Sequence, residues 1–250
     1  MEEAPVPVRA VVAYDGTDFR GFAAQGDDVR TVAGGLNAAL AKVLRTPVEV
    51  ACAGRTDAGV HAWHQVVSFP APADADLLRL QRAVNAMLGP EVVVRAIEFA
   101  AAGFDARHSA TGRRYRYTIV NRETPDPFLA RYAWHVTDAL DLDVLRLAAD
   151  AFIGERDFAS FCRKGPEGST TIRHVRESFW TDLGDGVLRY EVEATAFCWQ
   201  MVRSIVGTQV DCGRGRKHPG DLMGIFAARD RAAAGVIAPP HGLTLWDVTY

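Results

Sequence analysis

The chain has 250 residues, 48% of them hydrophobic and 24% charged, with a formal net charge of −3, the balance of a soluble globular protein of one or two domains. No apolar run approaches the ~20 residues that a bilayer span needs, and the acidic start, Met1 to Pro5, has no apolar signal region. The slight negative charge argues against a uniformly basic, nucleic-acid-binding surface; four scattered cysteines without a Cys-x-x-Cys pair predict reduced, packed thiols in a cytoplasmic protein, not disulfides or structural zinc.

Val8 to Tyr14 is rich in β-formers and ends at the turn signal Asp15-Gly16. Thr31 is a good N-cap for a helix to Leu44 with Val32, Leu36, Leu40 and Val43 as its stripe. Gly34 and Gly35 weaken that helix by about 1 kcal/mol each and point to close packing or a nearby ligand. Strands over Val48–Ala53 and Gln65–Phe69 flank a polar loop, and Pro70–Asp76 reads as a linker. A helix from Leu77 to Leu88 stops at Gly89-Pro90, and Val92–Phe99 is a strand. The order β-α-β-β-α-β over residues 1–102 is ferredoxin-like, with two helices on one face of an antiparallel sheet.

Residues 103–250 repeat this order with insertions. Arg113–Val120 alternates cleanly, Tyr115, Tyr117 and Ile119 against Arg114, Arg116 and Thr118. Tyr132–Val136 is a short strand, Asp141 caps a helix to Ile153, and Gly154 ends it. Arg163–Thr171 is a polar Gly/Pro-containing loop and a candidate flap. Ile172–Thr181 and Leu188–Ala196 form a hairpin, Gln200–Cys212 and Asp221–Arg229 are helical, and Leu243–Tyr250 is a closing strand. The expected fold is α/β (α+β): two tandem ferredoxin-like halves, with a cleft where their free sheet faces meet.

Chemistry concentrates in Gly54-Arg55-Thr56-Asp57-Ala58-Gly59-Val60-His61-Ala62. Asp57 lies between two strands, bracketed by glycines that let a ligand approach the backbone. It is either a turn residue bonded to its own backbone or a catalytic carboxylate on a rigid loop. Tyr115 and Tyr117 are either core aromatics or a stacking platform for a base. Arg203 is the lone cation in the apolar run Met201–Gly207, where burial would demand an anionic partner. His61 and His64 lack a third ligand at a recognisable spacing; no metal is expected, and His61 is read as shaping the loop. Basic residues cluster at Arg107, Arg113, Arg114 and Arg116, at Arg163 and Lys164, and at Arg214, Arg216 and Lys217, with the acids read as falling elsewhere, in Asp138–Asp143 and Asp182–Asp185.

The nine-residue string resembles the active-site motif of the TruA family of tRNA pseudouridine synthases. Arg113-Arg114-Tyr115-Arg116-Tyr117 and Met201-Val202-Arg203-Ser204-Ile205-Val206-Gly207 resemble two further family stretches. Weaker matches are Tyr14–Phe19, Phe104–Ala110 and Gly242–Leu245, so the likeness runs from Val8 to Tyr250. Gly21-Phe22-Ala23, Asp105 and Gln200 depart from it, standing where the family commonly has Gly-Trp-Gln, His and His. The resemblance implies the pseudouridine synthase fold and the isomerisation of uridine at positions 38–40 of the tRNA anticodon stem-loop. It implies Asp57 as the catalytic carboxylate, Tyr115 against the target base and Arg203 paired with Asp57, keeping it ionised. It also implies a homodimer, with tRNA as partner and no cofactor or metal. Arg55, Arg107, Arg113 and Arg114 are candidate substrate contacts. The rival functions are a pseudouridine synthase acting at another RNA site, a tRNA-binding protein without catalysis, and a metal-dependent hydrolase using Asp57, His61 and His64.

Overall fold

The computed structural model describes residues 4–250 apart from Asp27, Lys164, Pro166 and Glu167. Lys164 of the second basic cluster, part of the candidate flap and Met1–Glu3 of the N-terminal segment therefore lie outside the described residues. The chain divides into two compact units, 1–111 with 245–250, and 112–244.

In the first unit β1 (Val6–Tyr14) pairs antiparallel with β3 (His61–Ala71) and with β4 (Val92–Phe99). β2 (Ala51–Cys52) lies on the other edge of β3, giving the order β4-β1-β3-β2 of a ferredoxin-like sheet. Val8, Ala10, Val12 and Tyr14 are buried, and α2 (Leu77–Leu88) packs on β4 and on α1 (Val32–Leu44). On the opposite face of β1 Arg9 pairs with Glu98 at 2.6 Å. The expected caps form: Thr31 accepts from Gly34 N–H, and Asp76 from Arg79 N–H. A Cβ at Gly34 would lie 2.9 Å from the capping oxygen of Thr31, so the cap explains that glycine, with no ligand needed. β3 runs through Pro70, opposite Pro7, into the stretch read as a linker. β2 is shorter than Val48–Ala53, because Val50 N–H is taken by the Asn37 side chain.

β10 (Leu243–Thr249) brings the chain end back beside β3. Trp246 stacks on Trp63 at 5.7 Å, and the Arg95 guanidinium lies 4.0 Å from the Trp63 centroid.

In the second unit the order is β5 (Gly112–Asn121), β9 (Val187–Ala194), β8 (Ile172–Asp182) and β7 (Gly154–Asp157), paired antiparallel. β6 (Trp134–Val136) adds a short parallel pairing to β5. α3 (Leu142–Asp150) packs on α4 (Met201–Gly213) and β8, and α5 (Leu222–Ala228) lies beyond. Asp141 caps α3 as expected, accepting from Asp143 and Val144 N–H. The helix stops before Ile153, and Gly154, at φ +101, opens β7, a strand that was not expected. Phe152, Phe158, Phe161 and Phe226 form an edge-on aromatic cluster, with centroids 4.8–6.1 Å apart. Among the described residues no helix is long and apolar enough to cross a membrane.

Candidate active site

The Asp57 loop is gripped from two sides. Below it, the fully buried Gln65 donates through Nε2 to the Gly54 carbonyl at 2.6 Å and accepts from Gly54 N–H at 3.2 Å. The Tyr14 hydroxyl shares a hydrogen bond with Thr56 Oγ1 at 2.8 Å. Beside it runs the segment after β1. Phe22 N–H donates to Thr56 C=O at 3.0 Å, and Gly59 N–H to Phe19 C=O at 3.4 Å. Val60 N–H donates to Asp57 C=O at 3.1 Å, closing the turn. The two segments approach so closely that a Cβ at Gly16 would lie 2.0 Å from the Val60 carbonyl oxygen. One at Gly21, where φ is +99, would lie 2.9 Å from that of Thr56. The main chain of Asp57 is thus held from outside, while its side chain is half-exposed.

His61 is buried and ties the two segments together: its Nδ1 accepts from Gly16 N–H at 3.0 Å. The same atom is 3.2 Å from Asp15 Oδ1, an oxygen that already accepts from the Thr17 N–H and hydroxyl. Nδ1 thus stands between the Gly16 amide and the Asp15 carboxylate. His61 shapes the loop, as the sequence suggests. His64 instead faces Asp247 at 3.2 Å; burial pushes its pKa below the ordinary value, against the pull of Asp247. Among the described residues no group of three His, Cys, Asp or Glu is placed to hold a metal ion.

Arg55 is exposed on the same loop. Arg107 is exposed on a turn fixed by Asp105, whose Oδ1 accepts from Arg107 and His108 N–H at 2.8 Å each. Those amides, His108 first, hold the Asp105 carboxyl below the usual range. Ala106 N–H donates to Ser68 Oγ on β3 at 2.9 Å, which docks the turn on the sheet.

In the second unit the alternation along β5 is as read. Tyr115, Tyr117 and Ile119 are buried, while Arg114, Arg116 and Thr118 are half-exposed on the other face. Tyr117 is core: its hydroxyl donates to Pro239 C=O at 2.8 Å, and burial raises its pKa despite the field of Arg203. Tyr115, 7% exposed, meets Phe197 edge-on at 5.0 Å. Arg113 shares the Tyr115 face and donates to Thr195 C=O at 2.8 Å. Arg114 points the other way, into Glu177 at 2.7 Å and Glu193 at 2.6 Å. Partial burial lowers its pKa, and those carboxylates more than offset this. Arg116 pairs with Glu191 at 3.1 Å, and Arg214 and Arg216 with Asp138 at 2.8 and 3.6 Å. The reading that acids fall away from the basic clusters is therefore corrected. Glu177, Glu191 and Glu193 sit across the sheet from the first cluster, and Asp138 folds onto the third; a linear sequence does not display such cross-strand neighbours.

Arg203 is the one residue of α4 that is not fully buried. Its Nε donates to Ala238 C=O at 2.7 Å, and its own carbonyl accepts from Ala238 N–H at 3.1 Å. A Cβ at Gly207 would lie 1.8 Å from the Val236 carbonyl oxygen, so the helix backbone runs directly against the 236–238 segment.

The supporting residues Tyr14, Gly16, Gly21 and Gln65 were missed as parts of the site. Gln65 had a signal: an amide side chain in a strand otherwise made for the core has to be satisfied by something nearby.

Residues 10–107 and 148–250 match the family model described as tRNA pseudouridine synthase. The chain belongs to that family. It is 41% identical to the tRNA pseudouridine synthase A of Brevibacillus brevis, covering 97% of this chain and 99% of the relative. It is 43% identical to that of Leifsonia xyli over 100% and 93%, and 38% identical to that of Bacillus subtilis over 97% and 98%. Against this family's pattern the departure at Asp105 has a local explanation, since its carboxylate caps the turn carrying Arg107. Gln200 takes a left-handed conformation, φ 60, immediately before α4. No structural reason accounts for glutamine there.

Proposed function

We propose that this chain isomerises uridine to pseudouridine in tRNA, at positions 38–40 of the anticodon stem-loop, with Asp57 as the carboxylate beside the ribose. The reaction breaks the bond from C1′ to uracil N1, turns the base while it is held, and joins C1′ to C5. Nothing is oxidised and no group is imported. Asp57 acts as nucleophile or proton acceptor at the sugar. Tyr115 holds the detached uracil, and Arg203 serves as the partner of Asp57. Arg55, Arg107 and Arg113 serve phosphate contacts that help draw the nucleotide from its stack, a step costing a few kcal/mol. Arg114 joins them only by giving up Glu177 and Glu193. The working form is a cytoplasmic homodimer.

One observation carries this reading: in a chain of this family, Asp57 stands half-exposed on a loop whose backbone is fixed by Gln65, Phe22 and the close approach of Gly16. A carboxylate whose main chain is pinned while its side chain reaches solvent suits repeated chemistry. The test uses unmodified tRNA transcript tritiated at uracil C5, since isomerisation sends that label to water. Asp57→Ala is expected to stop label release and leave tRNA affinity near that of the parent chain. Release that persists, or affinity lost along with it, overturns the assignment.

A further inference from the structure

Two of the four cysteines form a pair in the second unit. Cys162 follows the turn Ala159–Phe161, and Cys198 lies just ahead of α4, its carbonyl accepting from Met201 N–H at 3.2 Å. The residues next to them are joined through the backbone, Arg163 N–H donating to Trp199 C=O at 3.0 Å. The Arg163 guanidinium lies 5.3 Å from the Trp199 ring centroid, a second tie between the same segments. The two thiols face each other closely enough to interact. They differ in access: Cys162 is 4% exposed, whereas Cys198 is only half-buried. Cys52 on β2 and Cys212 on α4 are both buried.

We propose that Cys162 and Cys198 are a modification site for low-molecular-weight disulfides, at which Cys198 is the attacking thiol, Cys162 the resolving one, and an intramolecular disulfide the product. The Cys198 thiolate attacks one sulfur of the small disulfide, whose S–S bond breaks and whose other half leaves as thiolate. Cys162 then gives up its proton and attacks Cys198 Sγ, expelling the second half. Two protein thiols become one disulfide, and the small disulfide is reduced to two thiols. Access assigns the order: Cys198 is only half-buried, whereas Cys162 is 4% exposed. The interaction with Cys162 first, and then the positive field of Arg173, lower the pKa of the Cys198 thiol in the same sense. An accessible, acidified thiol beside a buried resolving partner is the arrangement that redox-responsive cysteines share. Closing the bond requires the sulfurs to approach to about 2.05 Å; the neighbouring backbone bond already sets the two segments side by side.

The full-length chain is incubated with oxidised glutathione, then alkylated and examined by intact mass and peptide mapping. The expected product has lost two hydrogens, retains no glutathione, links the Cys162 and Cys198 peptides, and is alkylated only at Cys52 and Cys212. Cys162→Ser is expected to stop with glutathione on Cys198, and Cys198→Ser to remain unmodified. The proposal is overturned if the parent chain keeps four alkylated cysteines, retains glutathione on Cys198, or forms a link through Cys52 or Cys212. Glutathione on Cys162 in the Cys198→Ser chain overturns the order of attack. The parent chain alone decides the central point, so a serine variant that misfolds leaves the test intact.

Discussion

The two tyrosines of β5 show how one substitution can mean two different things two residues apart. Tyr117 donates its hydroxyl to Pro239 C=O inside the core, and Tyr117→Phe leaves that carbonyl without its donor. The expected cost is about 1–3 kcal/mol of stability, read in a denaturant titration, with the rate of label release per folded molecule near that of the parent. Tyr115→Phe removes a hydroxyl proposed to lie at the base, and the reverse pattern is expected: slowed release, stability little changed. The opposite ranking would mean that Tyr117 is the working residue. The alternation placed both rings on one face without separating them, and only the family resemblance singled out Tyr115; the contact that sets Tyr117 apart lies in Pro239, which is remote in sequence. Asp157 offers a pH test. The Thr171 hydroxyl first, then Ala159 N–H and Arg229, hold its carboxyl below the usual carboxylate range. The unfolded chain therefore binds the proton more tightly. The stability from Asp157 is fully present above ordinary carboxylate pH and is lost as pH falls through the depressed value. Asp157→Asn is expected to lower the melting temperature at neutral pH and to flatten its decline below about pH 4, as followed by circular dichroism.

At the level of elements, α4 is fixed less by propensity than by contact. Gly207→Ala drives a methyl group into the Val236 carbonyl, and with the surroundings so constrained it is expected to cost at least about 1–3 kcal/mol. Gly224→Ala is the control. Nothing lies within 4 Å of a Cβ at Gly224, on the exposed side of α5. That change is expected to stabilise the chain by about 0.5–1 kcal/mol through helix propensity alone. Thermal unfolding of the two variants would show equal shifts if packing against the 236–238 segment were unimportant. Helices with a cap and an apolar stripe, such as α1 and α2, were legible because both signals are local. β7, with the sequence Gly-Glu-Arg-Asp, carries no β-forming signal; only its pairing with β8 makes it a strand. β2 shows the converse, a β-rich stretch cut short when Asn37 takes an amide from the ladder. The Asp57 loop was legible as a string, but its clamp by Gly16, Gly21 and Gln65 was not, because those contacts join segments far apart in the chain.

For the whole molecule, a formal charge of −3 leaves no general attraction for RNA. Several arginines that could supply a local one are already matched by Glu177, Glu191, Glu193 and Asp138. Binding then rests on the remaining cations, and tRNA affinity is expected to fall as a power of salt concentration, with a slope set by the few phosphates contacted. Filter binding across a salt series reads that slope, and a flat response would remove the phosphate contacts from the proposal. The placement of residues 245–250 in the first unit has a bearing on how the protein is made. A ribosome delivers β1, β3 and the Asp57 loop early, yet the strand that stacks Trp246 on Trp63 is translated only after residues 112–244. During synthesis of the intervening residues 112–244, that stretch of β3 waits with a bare edge, open to pairing with other nascent chains. Completion of the unit that holds the proposed carboxylate is thereby postponed until the whole of the other unit has been translated.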